Sequence, residues 1–198
     1  MRRCTHCALR VPANVDQCGA CLAAPPAFDA AVAAVDYAWP WDGLLGDFKF
    51  HAALDLASTL TERIAAAWRA RHLEPPHWLL PVPLAKERLR ERGYNQAWEI
   101  ARRLAARIGG TADARLLTRV RDTAHQLALP PDRRAANVRG AFAVAPEGLA
   151  RLRDDHVVLV DDVMTTGATA AEIAAVLKQA GAGKVTIAVL ARTPRPGD

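Results

Sequence analysis

Long hydrophobic runs are missing from this 198-residue chain: none approaches the roughly 18 residues a membrane-spanning helix requires, so no span is expected. No apolar leader core follows Met1-Arg2-Arg3-Cys4, so secretion is not expected either and the cytoplasm is the expected compartment. Internal repeats and low-complexity tracts are absent, which sets aside solenoids. Disorder is expected only over the Pro-rich, charged stretch Thr193 to Asp198. Cysteine is absent after position 21, which rules out disulfides across the body of the chain.

What is present fits one α/β domain with a small appendage. Apolar residues make up 51% of the chain, enough for a core, although many are Ala, which favours helices but fills little volume. The net charge is +5 and the pI about 9.4. That balance suits an anionic partner, either the phosphates of a small ligand or a nucleic-acid backbone, and suits equally a merely Arg-rich surface.

All four cysteines fall early: Cys4, Cys7, Cys18 and Cys21, spaced C-x2-C-x10-C-x2-C. Two residues between ligands let one tight turn aim two thiolates at one ion, and two such turns complete a tetrahedron. In a reducing compartment this pattern favours zinc over disulfides. The alternatives are four incidental thiols or a redox pair, which usually sits at a helix N-terminus after a strand, and no such element is expected around these positions. With all four thiolates used, the site reads as closed and structural, with His6 a neighbour rather than a ligand. So short a segment cannot fold unaided, so metal binding would supply its folding energy.

Beyond Pro25-Pro26, the pattern alternates. Strands are expected over Ala30 to Ala38, Trp78 to Val82, Leu116 to Val120, Val157 to Val160 and Val185 to Leu190. Helices are expected from an Asp42 cap through Phe50, over Leu54 to Arg71, from Tyr94 or Asn95 to Ile108, and over Thr169 to Ala180. Thr123 to Arg139 reads as a polar connection with at most one helical turn. This alternation argues for a parallel sheet with helices on both faces. The chain divides into a module over residues 1–24 and a domain over residues 25–198.

The segment His156 to Thr169, HVVLVDDVMTTGAT, carries the functional argument. A continuous apolar run, as in a buried central strand, ends at Asp161-Asp162. A Thr165-Thr166-Gly167-Ala168-Thr169 turn then opens a helix. Ligands of open α/β sheets bind at the carboxyl ends of the strands. Backbone N–H groups at the helix start, with threonine hydroxyls, make an anion site, and Gly167 lets the backbone come close. The two aspartates would accept vicinal ribose hydroxyls. Phosphate donors beside hydroxyl acceptors describe a ribose 5-phosphate. Alternatively, the paired acids hold magnesium, or the turn is only capped. No Gly-Lys-Ser/Thr follows, so this is not a Walker loop.

Val157 to Thr169 resembles the signature by which type I phosphoribosyltransferases bind phosphoribosyl pyrophosphate (PRPP). The resemblance places ribose hydroxyls on Asp161 and Asp162 and the 5-phosphate on Thr165, Thr166, Gly167, Ala168 and Thr169. Two further stretches are Pro81-Val82-Pro83-Leu84, followed by the cations Lys86, Arg88 and Arg92, and the polar stretch Arg119 to Phe142, holding Arg121, Gln126, Arg134 and Asn137. In phosphoribosyltransferases the loop corresponding to the first holds pyrophosphate; Arg88 and Arg92, four apart, also read as a solvated helix face. With the four cysteines and Arg92-Gly93-Tyr94-Asn95-Gln96, the whole chain is similar to the ComF family. Phe48-Lys49-Phe50 departs from its pattern, since Ala52-Ala53 stands where a Gly is usual.

The resemblance implies a role in natural transformation: handling incoming single-stranded DNA, with the primosomal helicase or other DNA-processing proteins as partners. Trp39, Trp41 or Trp98 would stack bases if exposed. It also implies an alternative, a magnesium-dependent phosphoribosyltransferase in which a nitrogen nucleophile displaces pyrophosphate. No base-recognition hood is evident near the C-terminus, which favours binding over catalysis.

Overall fold

The computed structural model describes residues 2–121 and 134–194. Thr123, Gln126 and Leu129 of the polar connection, and the last residues of the Pro-rich end, lie outside the described residues.

The first strands, β1 (Arg2–Arg3) and β2 (Arg10–Val11), form an antiparallel hairpin, and helix α1 (Gly19–Ala23) follows with Cys18 at its N-cap, a helix start not expected among the cysteines. Around them Cys4, Cys7, Cys18, Cys21, Leu9 and Val11 make a small buried cluster. Then come β3 (Ala30–Asp36), α2 (Trp41–Phe50), α3 (Leu56–Ala70), β4 (Trp78–Pro81), α4 (Lys86–Arg92), α5 (Gln96–Ile108) and β5 (Thr111–Ala112). After these run β6 (Leu117–Arg119), α6 (Arg134–Val138), β7 (Phe142–Val144), α7 (Pro146–Arg151), β8 (His156–Met164), α8 (Ala168–Gln179) and β9 (Lys184–Arg192).

The central sheet has five strands in the order β3-β9-β8-β4-β5, and every neighbouring pair is parallel. All five carboxyl ends therefore share one edge. The two faces follow from side-chain alternation. Val157, Leu159, Val185, Ile187 and Val189 point to one layer, where Ile173, Ala174 and Leu177 of α8 cover them. Val158, Val160, Ala188 and Leu190 point to the other, covered by Phe48, Leu60, Ile64, Trp68, Ile100 and Leu104 of α2, α3 and α5. Leu60, Ile64 and Trp68, four residues apart on α3, are buried, and Leu56 packs partly buried on the same stripe.

Several boundaries differ from expectation. Helix α2 starts at Trp41 with Pro40 at the cap position, and Asp42 lies inside the first turn, accepting from the Gly43 amide at 2.9 Å. Strand β8 does not end at the acid pair. It runs on to Met164 because β9 continues beside it, with Asp161 opposite Val189 and Met164 opposite Arg192. Helix α4 was foreshadowed only by the four-residue spacing of Arg88 and Arg92, and the β6–β7 hairpin was not expected.

The cysteine cluster is not free-standing. Thr5 accepts from the Ala31 amide (3.3 Å) and from Arg71 Nη2 (3.2 Å), Arg3 reaches Asp36 at 2.8 Å, and Ala8 is buried in the α8-side core.

Candidate functional site

At the carboxyl edge, a cavity of about 220 Å³ opens between the ends of β4 and β8 and the start of α8. Its wall includes Asp161, Asp162 and the whole turn Thr165 to Thr169, with Arg88 and Arg92 from α4. These expected residues therefore meet in one place. Lys86 does not join them: it is exposed and lies outside the wall. At 3.6 residues per turn, residues two apart point about 200° away from each other, while Arg88 and Arg92, four apart, share a face.

The turn is built for close approach. Gly167, at φ +85°, stands at the N-cap of α8 and offers no side-chain cap. Its backbone folds in the left-handed region, which an L side chain resists. Thr166 Oγ1 accepts from the Ala168 amide at 3.3 Å, which holds the loop over the helix start. The helix dipole adds positive potential at this end.

The acid pair is split by environment. Asp162 is only 4% exposed and forms an ion pair with Lys49 Nζ. Asp161 accepts from the Asp162 amide at 2.9 Å and lines the cavity. Burial pushes the Asp161 carboxyl up to about 7, although Lys49 and Arg92 pull the other way. Burial likewise lowers Lys49 to about 8; Asp161 opposes this, and Arg92 and Arg88 add to it.

Lys49, whose role the departure at Ala52-Ala53 put in doubt, meets the acid pair. It sits in the last turn of α2. Phe48, buried beside it, anchors the helix to the core, and Tyr94 Oη donates to the Phe48 carbonyl. The Arg92-to-Gln96 run thereby acquires separate tasks. Gly93, at φ +80°, ends α4 in a left-handed C-cap. Asn95 caps α5 by accepting from the Ala97 amide at 2.9 Å and donates to the Val82 carbonyl at 3.0 Å, fixing the strand end. Gln96 Oε1 accepts from Arg92. Tyr37 and Arg119 also reach the cavity, and neither was singled out by spacing. Arg119 lies over the Phe142 ring at 5.5 Å. Arg121 Nη2 donates to the Asn137 carbonyl at 3.1 Å, tying the two described ends of the polar connection together.

Of the tryptophans, Trp39 is 87% exposed, just past the carboxyl end of β3. Trp41 packs beneath Arg63 at 5.6 Å, and Trp98 packs against the core.

The four cysteine sulfurs lie within 4.8 Å of one another, all buried, with Cys7 and Cys18 at 3.6 Å. Tetrahedral zinc with bonds of about 2.3 Å requires sulfurs about 3.8 Å apart. The Cys18 amide donates to Cys4 Sγ at 3.3 Å, a contact that stabilises a thiolate. These residues can hold a metal such as zinc. His6 contacts the Phe28 carbonyl instead and does not join them. Among the described residues no helix is long and apolar enough to cross a membrane.

The family model for the phosphoribosyl transferase domain matches residues 90–197, which hold α5, β8, the turn and α8. The chain is 36% identical over 196 residues to DNA utilization protein YhgH of Salmonella typhimurium, covering 96% of this chain and 84% of that one. The Escherichia coli K12 protein of the same name is 34% identical over 194 residues, with the same shares covered. Competence protein F of Haemophilus influenzae is 32% identical over 193 residues, again covering 96% and 84%.

Proposed function

Given that this chain belongs to the ComF family of phosphoribosyltransferase-domain proteins, we propose that its cavity binds a phosphoribosyl ligand, PRPP or ribose 5-phosphate, in the service of DNA handling during natural transformation. One observation carries the reading: acid pair, phosphate turn and Arg88–Arg92 line a single cavity at the carboxyl edge of the sheet. The turn takes the 5-phosphate. Asp161 accepts the ribose hydroxyls, and Asp162 does so once the ligand competes with Lys49. In this reading residues 1–24 form a structural zinc module and residues 25–198 the ligand-binding domain.

The link to DNA rests on the relatives' names, DNA utilization protein and Competence protein F. Net charge +5 and the exposed Trp39 support it, since basic grooves with aromatic platforms suit single strands.

A second reading, transfer of the phosphoribosyl group, draws on the cations. Lys49, Arg88, Arg92 and Arg119 all border the cavity, more positive charge than one phosphate on the turn calls for. Pyrophosphate at the ribose C1 would use that surplus. A nitrogen nucleophile would form the new bond to C1, and pyrophosphate would leave with the C1–O electron pair. The arginines would stabilise that departing charge. Magnesium, held by one or two carboxylates together with substrate phosphates, would neutralise pyrophosphate when bound. Among the described residues the only grouping of three or more metal-binding side chains is the cysteine site. Asp161 and the phosphates themselves fit such a ligand-borne ion.

Calorimetry with ribose 5-phosphate and PRPP tests binding; the expected result is saturable binding of both, lost in Asp161→Ala. Failure of the intact protein to bind either defeats the proposal. Pyrophosphate release with magnesium and a panel of bases and amines separates the readings. Turnover that vanishes in Asp161→Ala establishes transfer, and binding without turnover leaves the binding role.

A further inference from the structure

Arg192 closes the last strand, and its side chain is buried, 5% exposed. Its guanidinium faces two ways. On one side Nη1 donates to the carbonyls of Met164 (3.0 Å), Thr165 and Thr193 (3.0 Å). Met164 and Thr165 lead directly into the phosphate turn. On the other side Nε donates to the carbonyl of Cys7 at 3.0 Å. One rigid, planar fork thus joins the cysteine site to the turn.

The Cys7 end of this link depends on the knuckle around it. Ala8, next in the chain, is held at φ +59° although it is not glycine, and it is fully buried in the α8-side core. Left-handed backbone is unfavourable for alanine. Two bonds of the knuckle enforce it: the Ala8 amide donates to the Cys4 carbonyl (2.9 Å), and the Cys4 amide to the Leu9 carbonyl (2.7 Å). A metal drawing Cys4 and Cys7 together holds this loop closed. If the metal were removed, the strain at Ala8 would favour relaxation of the loop and would draw the Cys7 carbonyl away from Nε. The backbone of Thr165 then depends on a guanidinium that has lost an anchor.

We infer that Arg192 is the positioning residue of the phosphate turn and that it transmits the state of the four-cysteine site to that turn. The ligand half of this inference rests on the phosphoribosyl reading above; the mechanical half does not. Coupling between two sites is reciprocal. Metal strengthens ligand binding, and ligand strengthens metal binding by the same factor.

Hydrogen exchange on the full-length, ligand-free protein tests the mechanical half. Stripping the metal with a chelator is expected to speed exchange across Met164 to Ala170 while leaving the strand core at Val157 to Val160 unchanged. In Arg192→Lys, which keeps the charge but cannot span both sets of carbonyls, the turn is expected to exchange fast with or without metal. Arg192→Ala should behave alike; should it fail to fold, Arg192→Lys and the native protein decide. Calorimetry then tests the ligand half: native affinity for ribose 5-phosphate should fall about five-fold or more on stripping, and Arg192→Lys should bind weakly in both states. An unchanged turn in the stripped native protein overturns the inference. So does a rise shared equally by the strand core, or a metal response that survives in Arg192→Lys. If the loaded native protein ignores ribose 5-phosphate while the exchange response is present, the functional reading fails and the role of Arg192 in the turn stands.

Discussion

Asp161 gives a direct measure of what the site costs the fold. Burial raises its carboxyl from 3.8 to about 7, even against the attraction of Lys49 and Arg92. Below pH 3.8 both the folded and the unfolded chain hold the proton. Between 3.8 and about 7 the unfolded chain has released it while the folded chain keeps it. Stability from this group therefore falls as pH rises through that window, and the loss is complete above about 7. A displacement of about three units corresponds to about 4 kcal/mol against the ionised form. Water in the open cavity screens part of that, which leaves about 2 kcal/mol. Asp161→Asn keeps the volume and an oxygen for the Asp162 amide, and removes the charge. At pH 8 the variant should melt about 4–8 °C above the native protein, since ~1 kcal/mol moves Tm by about 2–4 °C at this size. The gap should close by pH 4, while ribose 5-phosphate binding is lost throughout. Other titrating groups cancel in the difference between the two proteins. A gap that ignores pH, or a variant less stable at pH 8, would refute the reasoning that the carboxylate is held for ligand at the fold's expense.

Arg92→Ala, measured by calorimetry, should weaken PRPP binding about ten- to hundred-fold, the worth of a charged hydrogen bond at ~1.5–3 kcal/mol. Ribose 5-phosphate affinity should barely change, and equal losses for both ligands would remove Arg92 from the pyrophosphate arm. Lys49→Met leaves Asp162 buried without its ion-pair partner. Denaturant melts at pH 7 should show a loss of about 3–5 kcal/mol, largely restored by adding Asp162→Asn; a neutral single variant would mean the pair is solvated. His156, stacked 6.1 Å from Trp68 and 2.9 Å from Thr186 Oγ1, is lowered by burial to about 4. Its contribution is present above pH 6.5 and lost as pH falls toward 4, up to about 3 kcal/mol. His156→Gln should flatten that acid limb in a pH series of melts.

The fold was legible where one period dominates over a full element. The apolar run before Asp161 and the four-residue stripe of α3 both declare themselves locally, and each lies where its pattern put it. Boundaries failed where a neighbour decides them. Strand β8 runs past its acids only because β9 continues alongside, and no local signal carries that pairing. Helix α4 was harder still: its seven residues bury none of their own side chains, so no apolar stripe announces it. Its phase nevertheless separates Lys86 from Arg88 and Arg92.

The site divides in the same way. Turn and acid pair are contiguous in the chain, so a motif contains them both. Lys49 reaches Asp162 only through tertiary packing, by way of Phe48 in the core and Tyr94 holding the end of α2. A signal was nevertheless present, since a single cation between two phenylalanines at a helix end is poorly placed to be solvated on every side. Arg192 was hidden for a different reason. It ends a strand that reads as apolar to its last residue, and its partners are backbone carbonyls, which no side-chain pattern records. Motif reading finds groups that touch a ligand through side chains adjacent in sequence. It does not find those that hold backbone in place, and in this chain Arg192 ties the backbone of the cysteine knuckle to that of the turn before α8.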